Sequence, residues 1–168
     1  MQAGQQTDEA TLERARGLAN EAVQTVALQL RRVRLSEPED DQFVMRRWTD
    51  AQFFIVALRR LRRTAILASR VPSAAAPMQQ AIRAFDAATS GLTKMRNVGE
   101  HVDAYALGSG YDPSVSGRDL QVGDWSDPTF SWLSVELDVD QAMAAAEALF
   151  MAVRDAAHRQ TKRYCATG

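Results

Sequence analysis

At 168 residues, 46% hydrophobic and 24% charged, the chain has the size and make-up of one globular domain with its own core. Its formal charge of −1 excludes a global basic field that would gather nucleic acid. A single cysteine, Cys165, excludes an intrachain disulfide. The polar stretch from Met1 to Glu9 lacks the apolar core of a signal peptide, and no apolar run reaches membrane-spanning length, so a cytoplasmic protein with no membrane partner is expected.

The first predicted element is a helix from Thr7 to about Leu35. Thr7 is its N-cap, Asp8 and Glu9 sit in the first turn where the helix dipole favours them, and Leu12, Ala15, Ala19, Val23, Val26, Leu30 and Val33 recur at helical spacing. Ser36-Glu37-Pro38-Glu39 reads as a break followed by a capping box, opening a second helix to about Ser69. Its stripe is Val44, Trp48, Ala51, Ile55, Leu58 and Leu61, and Arg59, Arg60, Arg62 and Arg63 crowd its second half. Val71-Pro72-Ser73 ends that helix. A third is expected from about Pro77 to Gly108-Ser109-Gly110, burying Ile82, Phe85, Ala88, Leu92, Met95, Val98 and Val102.

From Tyr111 to Leu137 the glycines and prolines argue against helix. Leu120 and Val122, then Phe130 and Trp132, alternate with polar residues, while Leu133, Val135 and Leu137 point to the other side. A small β-hairpin turning around Asp124–Pro128 is expected, with Trp125 and Trp132 either folding it onto the helices or forming a binding lip. Asp138 then caps a fourth helix, with Gln141 as its box partner and Met143, Ala146, Phe150, Val153 and Ala157 as its stripe. The expected fold is all-α: an up-down four-helix bundle in one domain, with the hairpin inserted between the third and fourth helices.

The chemistry-bearing stretch is Arg96-Asn97-Val98-Gly99-Glu100-His101 on the third helix. At 100° per residue, Ser90, Lys94, Asn97 and His101 share a polar stripe opposite the apolar face, with Tyr105 one turn further. Arg96 lies on the flank beside Glu100, four residues away, where the two also fit an ordinary surface ion pair. Arg96 and His101 diverge by about 140° on an ideal helix, so a second protomer brings them to one ligand more easily than one chain does. Cleavage through a ribose 2′-OH needs a base and an acid; each chain offers one well-placed histidine, and a C2 dimer across the stripe supplies two. In such a site Arg96 would hold the phosphate, Asn97 would orient the histidine or the substrate, and Lys94 would add a phosphate contact.

An Arg followed by a polar residue and then by His, on a late helix of a small bundle, resembles the HEPN superfamily. The likeness covers the motif and the bundle plan. It implies a metal-independent ribonuclease of a toxin–antitoxin or phage-defence system, acting as a homodimer on RNA, with an antitoxin or defence protein as partner, or else a non-catalytic module binding nucleotide, RNA or protein. On this resemblance Arg96, Asn97 and His101 are the candidate catalytic residues, and Lys94, Glu100 and Tyr105 the candidate binding residues. Family members paired with nucleotidyltransferase antitoxins carry a Tyr two residues after the His; Asp103 stands there in this chain and Tyr105 is the nearest tyrosine.

No cofactor or metal is expected. Asp155 and His158 have the i, i+3 spacing of carboxylate-bridged metal bundles, but those sites need a second such pair. Two histidines in the chain cannot form a three-His zinc site within one protomer. The chain has 18 Arg against Lys94 and Lys162, which fits either phosphate recognition or Arg-favouring codons; their recurrence along helices fits the latter better. A third reading, a helical interaction protein using Trp125 and Trp132 as its contact, stays open.

Overall fold

A computed structural model describes residues 7–35 and 45–167, with side chains up to residue 160. Within it the chain is mostly helical and carries one small antiparallel sheet. Helix α1 (Asp8–Arg34) starts where its cap predicts: the Thr7 side chain accepts a hydrogen bond from the Ala10 amide. All seven residues of its expected stripe are buried. Helix α2 (Arg46–Ala68) ends at Ser69 and buries Ala51, Ile55, Leu58 and Leu61 from its expected stripe, with Trp48 packed partly against the core. Met45 precedes its first turn; the capping box at Ser36–Glu39 and Val44 lie outside the described residues.

The single third helix expected from Pro77 to Gly108 is three helices, α3 (Ala75–Ala88), α4 (Leu92–Glu100) and α5 (Val102–Ala106). At the first break the Phe85 carbonyl accepts from both the amide and the hydroxyl of Thr89, the last ladder bond of α3. Gly91 follows, packed so that a side chain there would press on Val135. The second break is at His101, whose backbone (φ −124°, ψ 34°) leaves the helical region. That turn of the axis resets the helical phase: Val102, expected in the core, is 49% exposed, and Tyr105, expected on the polar stripe, is 3% exposed. Gly108, at φ +70°, ends α5 in the left-handed conformation that glycine adopts without strain.

In place of one hairpin there are three strands, β1 (Asp124–Ser126), β2 (Thr129–Trp132) and β3 (Val135–Asp138), in the order β1-β2-β3, after a short 3-10 helix at Gly117–Leu120. Most of the turn expected around Asp124–Pro128 is itself β1, and only Asp127-Pro128, with a cis peptide bond, joins β1 to β2. Leu120 and Val122, expected to alternate in the first strand, lie outside the sheet. A second turn, Leu133-Ser134, has positive φ at both residues (57° and 58°) and pairs Trp132 with Val135. This is the two-residue geometry that glycine and asparagine usually supply. The shift in apolar parity at Leu133 is therefore a reversal of the chain rather than a change of face: Phe130 pairs with Leu137, and both are buried.

The sheet is held down by aromatics. Trp132 is buried and stacks edge-on against Trp48 of α2, ring centroids 5.0 Å apart, and its Nε1–H donates to the Gln121 carbonyl. Phe130 meets the same Trp48. Trp125 is half-buried against this cluster. These tryptophans cover the core, as the first of their two expected roles requires; Trp132 is not a lip. Helix α6 (Val139–Thr167) begins at its expected cap, Asp138, whose carboxylate accepts from the Asp140 and Gln141 amides. It packs on α1, α2 and α3, and α1 packs on α2. None of the helices among the described residues is long and apolar enough to cross a membrane.

Candidate functional site

Residues on three consecutive pieces of chain enclose a groove of about 890 Å³. Ser90, at the α3–α4 break, leads to Thr93, Lys94 and Asn97 on one face of α4. His101, at the α4–α5 junction, is exposed at the centre of this row. Ala104 and Tyr105 of α5, then Ser109, Tyr111, Asp112 and Pro113 of the following loop, close the other wall. The polar stripe expected from the helical wheel is thus one wall of a real concavity, since α4 keeps its phase up to His101.

Beyond His101 the wall is built differently. Tyr105 turns its ring into the core, and its hydroxyl oxygen accepts a 3.1 Å hydrogen bond from the Asp112 amide. The tyrosine thereby ties the loop to α5. Ser114 donates to the Asp112 carboxylate from both its hydroxyl and its amide, and these bonds hold the Asp112 carboxyl below its usual range. Tyr111 is 98% exposed at the rim. No periodicity marked this loop as part of the site. Its signal was the pairing of Gly110 with Tyr111, a small residue that lets the chain close on Tyr105 beside an aromatic left in water.

Of the six candidate residues, Lys94, Asn97, His101 and Tyr105 line the groove, whereas Arg96 and Glu100 do not. Those two form the ion pair that their i, i+4 spacing allows. The Arg96 side chain is 17% exposed, and its Nη1 also donates to Asn97 Oδ1 at 3.0 Å. Arg96 therefore reaches the groove only through Asn97. Within one chain Arg96 and His101 do not line one cavity, as their divergence on the helix requires.

Behind α4, on the side away from the groove, Gly99 faces α2 and the sheet, where a β-carbon would meet Gln52 Oε1 at 3.0 Å. The buried side chains of α4, Leu92, Met95 and Val98, set its rotation and so the side on which Lys94, Asn97 and His101 stand. Among the described residues, no group of three or more His, Cys, Asp or Glu is placed to hold a metal ion. His158 is exposed far along α6. No protein-family model matches the chain, and neither a curated protein nor a solved structure is similar to it.

Proposed function

We propose that the chain is a HEPN-like, metal-independent endoribonuclease of the cytoplasm that works as a homodimer, its three long helices and the broken α3–α5 run making up the four-helix bundle plan. The observation that carries this reading is the groove lined by Lys94, Asn97 and the exposed His101, which stands on the residues of the Arg-Asn-x-x-x-His motif.

The chemistry follows from what each group can do. His101 has an ordinary reach into an open groove and acts as base on the 2′-OH or as acid on the leaving 5′-oxygen. One histidine cannot serve both ends of an in-line displacement in one geometry, so two protomers facing each other across their grooves supply the pair. Lys94 offers a point charge for a non-bridging phosphate oxygen. Because Arg96 occupies Asn97 Oδ1, Asn97 keeps its amide NH₂ as a donor for substrate. Arg96 is then a positioning residue in each chain. An antitoxin or defence protein would control such an activity.

RNA cleavage in EDTA by wild type and by His101→Ala tests the reading. Loss of at least about a hundredfold is expected, the usual contribution of a positioned acid or base. Equal cleavage by both proteins would sink it.

One observation favours a second reading, a non-catalytic module binding nucleotide, RNA or a protein partner in the same groove. The pairing of Arg96 with Glu100 leaves no free guanidinium from the motif to stabilise a transition state. That reading expects binding without turnover by wild type.

A further inference from the structure

The arginines of α2 meet α4 on the flank of the groove, and their charges are not balanced. Arg62 makes a two-pronged ion pair with Asp86 of α3, both contacts at 2.6 Å. Arg96 is paired with Glu100. Arg59 has neither. Among the described residues no carboxylate lies within ion-pair distance of it, and its Nη1 donates to Thr93 Oγ1 at 3.3 Å. Its Nε is buried without a hydrogen-bond partner. Around Arg59 the charges of Arg62, Arg63 and Arg96 thus outnumber that of Asp86. Burial, and then the charges of Arg62, Arg96 and Arg63, hold the Arg59 guanidinium below its ordinary value, while Asp86 works in the opposite direction.

With its Nε closed off and its charge set among like charges, the half-buried Arg59 guanidinium is in an unfavourable arrangement that an anion at its Nη groups would relieve. Thr93 says where that anion would lie. It is exposed, it lines the groove, and its oxygen is already accepting from Arg59, so its hydroxyl proton is free to donate outward. A planar guanidinium beside a hydroxyl donor, in excess positive charge, suits a tetrahedral oxyanion better than a neutral ligand or a single carboxylate.

We infer that Arg59 and Thr93 form a phosphate-binding subsite at the α2 edge of the groove, adjoining the Lys94–Asn97–His101 wall and outside the Arg-Asn-x-x-x-His motif. The phosphate belongs either to a nucleic-acid backbone lying in the groove or to a free phosphate or nucleotide. The inference rests on the ribonuclease reading for the polymer source only; the anion site needs no catalysis.

The test uses the intact protein and two probes at constant ionic strength, inorganic phosphate and a short single-stranded RNA oligonucleotide. Phosphate is expected to raise the melting temperature of wild type above that in matched chloride. Arg59→Gln and Thr93→Val, each checked for an unchanged melting temperature in chloride, should weaken phosphate binding about tenfold or more, as loss of a charge-assisted hydrogen bond does. Arg59→Lys should keep part of the response, and His101→Ala all of it. If Arg59→Gln also weakens the oligonucleotide and flattens its salt dependence, the phosphate is that of the polymer. If it weakens only inorganic phosphate, the subsite serves a free anion. Phosphate and oligonucleotide binding both unchanged in Arg59→Gln would overturn the subsite. RNA cleavage that depends on His101 survives that outcome, and an anion response that depends on Arg59 survives the failure of cleavage.

Discussion

At Gly110 the backbone passes so close to the Tyr105 ring that a β-carbon would overlap it. The ring cannot retreat, because it is buried and its hydroxyl holds the Asp112 amide. Gly110→Ala is therefore an overpacking change on a wall of the groove. It should destabilise the protein by about 2 kcal/mol, within the range for an extra carbon forced against a packed side chain. Thermal or urea unfolding measures this, and a variant as stable as wild type would show that the loop does not close on Tyr105. The same residue shows the reach of a helical wheel. Ser90, Lys94, Asn97 and His101 were legible as one surface because α4 keeps one helical phase from the turn at Ser90 up to the break at His101. Tyr105 was placed on that surface by extrapolating across His101, and its ring went inward instead. It remains part of the groove, but as the fastening of a loop that periodicity does not detect.

Among the elements, α1 and α6 were readable from apolar spacing and caps and α2 from its apolar spacing, since each buries a continuous stripe along a long helix. The α3–α5 run was not, although Thr89-Ser90-Gly91 carried a local signal. The wheel continued through it because Leu92, Met95 and Val98 happen to resume the pattern in nearly the same phase. The turn at Leu133-Ser134 escaped because neither residue is a usual left-handed residue; Leu133 tolerates φ 57° where its side chain is buried at the sheet's edge with the core. One contact ties the first element to the last. Arg34 of α1 donates to Asp127 in the β1–β2 turn and pairs with Asp140 in the first turn of α6 at 2.8 Å. The hydrogen bond from Arg34, opposed by slight desolvation, holds the Asp140 carboxyl below its ordinary value. A carboxyl lowered in the folded state adds stability above its unfolded pKa, about 3.9, and loses it as pH falls through the lowered folded value. Part of the fall in melting temperature between neutral pH and pH 3 should thus vanish in Arg34→Ala. Melting curves for both proteins across that range decide it, and parallel curves would show the contact to be inconsequential.

For the whole molecule, the proposed two-protomer site turns on association. Val102 and Leu107, with Tyr111 at the groove's rim, are exposed in one short stretch of chain, at 49%, 83% and 98%. Such apolar side chains beside a polar groove are what a self-complementary contact would cover. Sedimentation of wild type at micromolar concentration should report a dimer, and Leu107→Ser with Tyr111→Ser should shift it to monomer and abolish cleavage while leaving the melting temperature of the monomer intact. A wild-type chain that sediments as a monomer at every concentration would remove the two-histidine mechanism.

The aromatic junction between α2 and the sheet gives this molecule an optical reporter of its own. Trp48, Trp125 and Trp132 are its three tryptophans, and none of them lines the groove. Their emission follows the seating of the sheet, and Trp132 also lies against the back of α4 at Gly99. A ligand that merely fills the groove should leave the fluorescence dark to its presence. One that rotates α4 should change the emission of a residue it never touches.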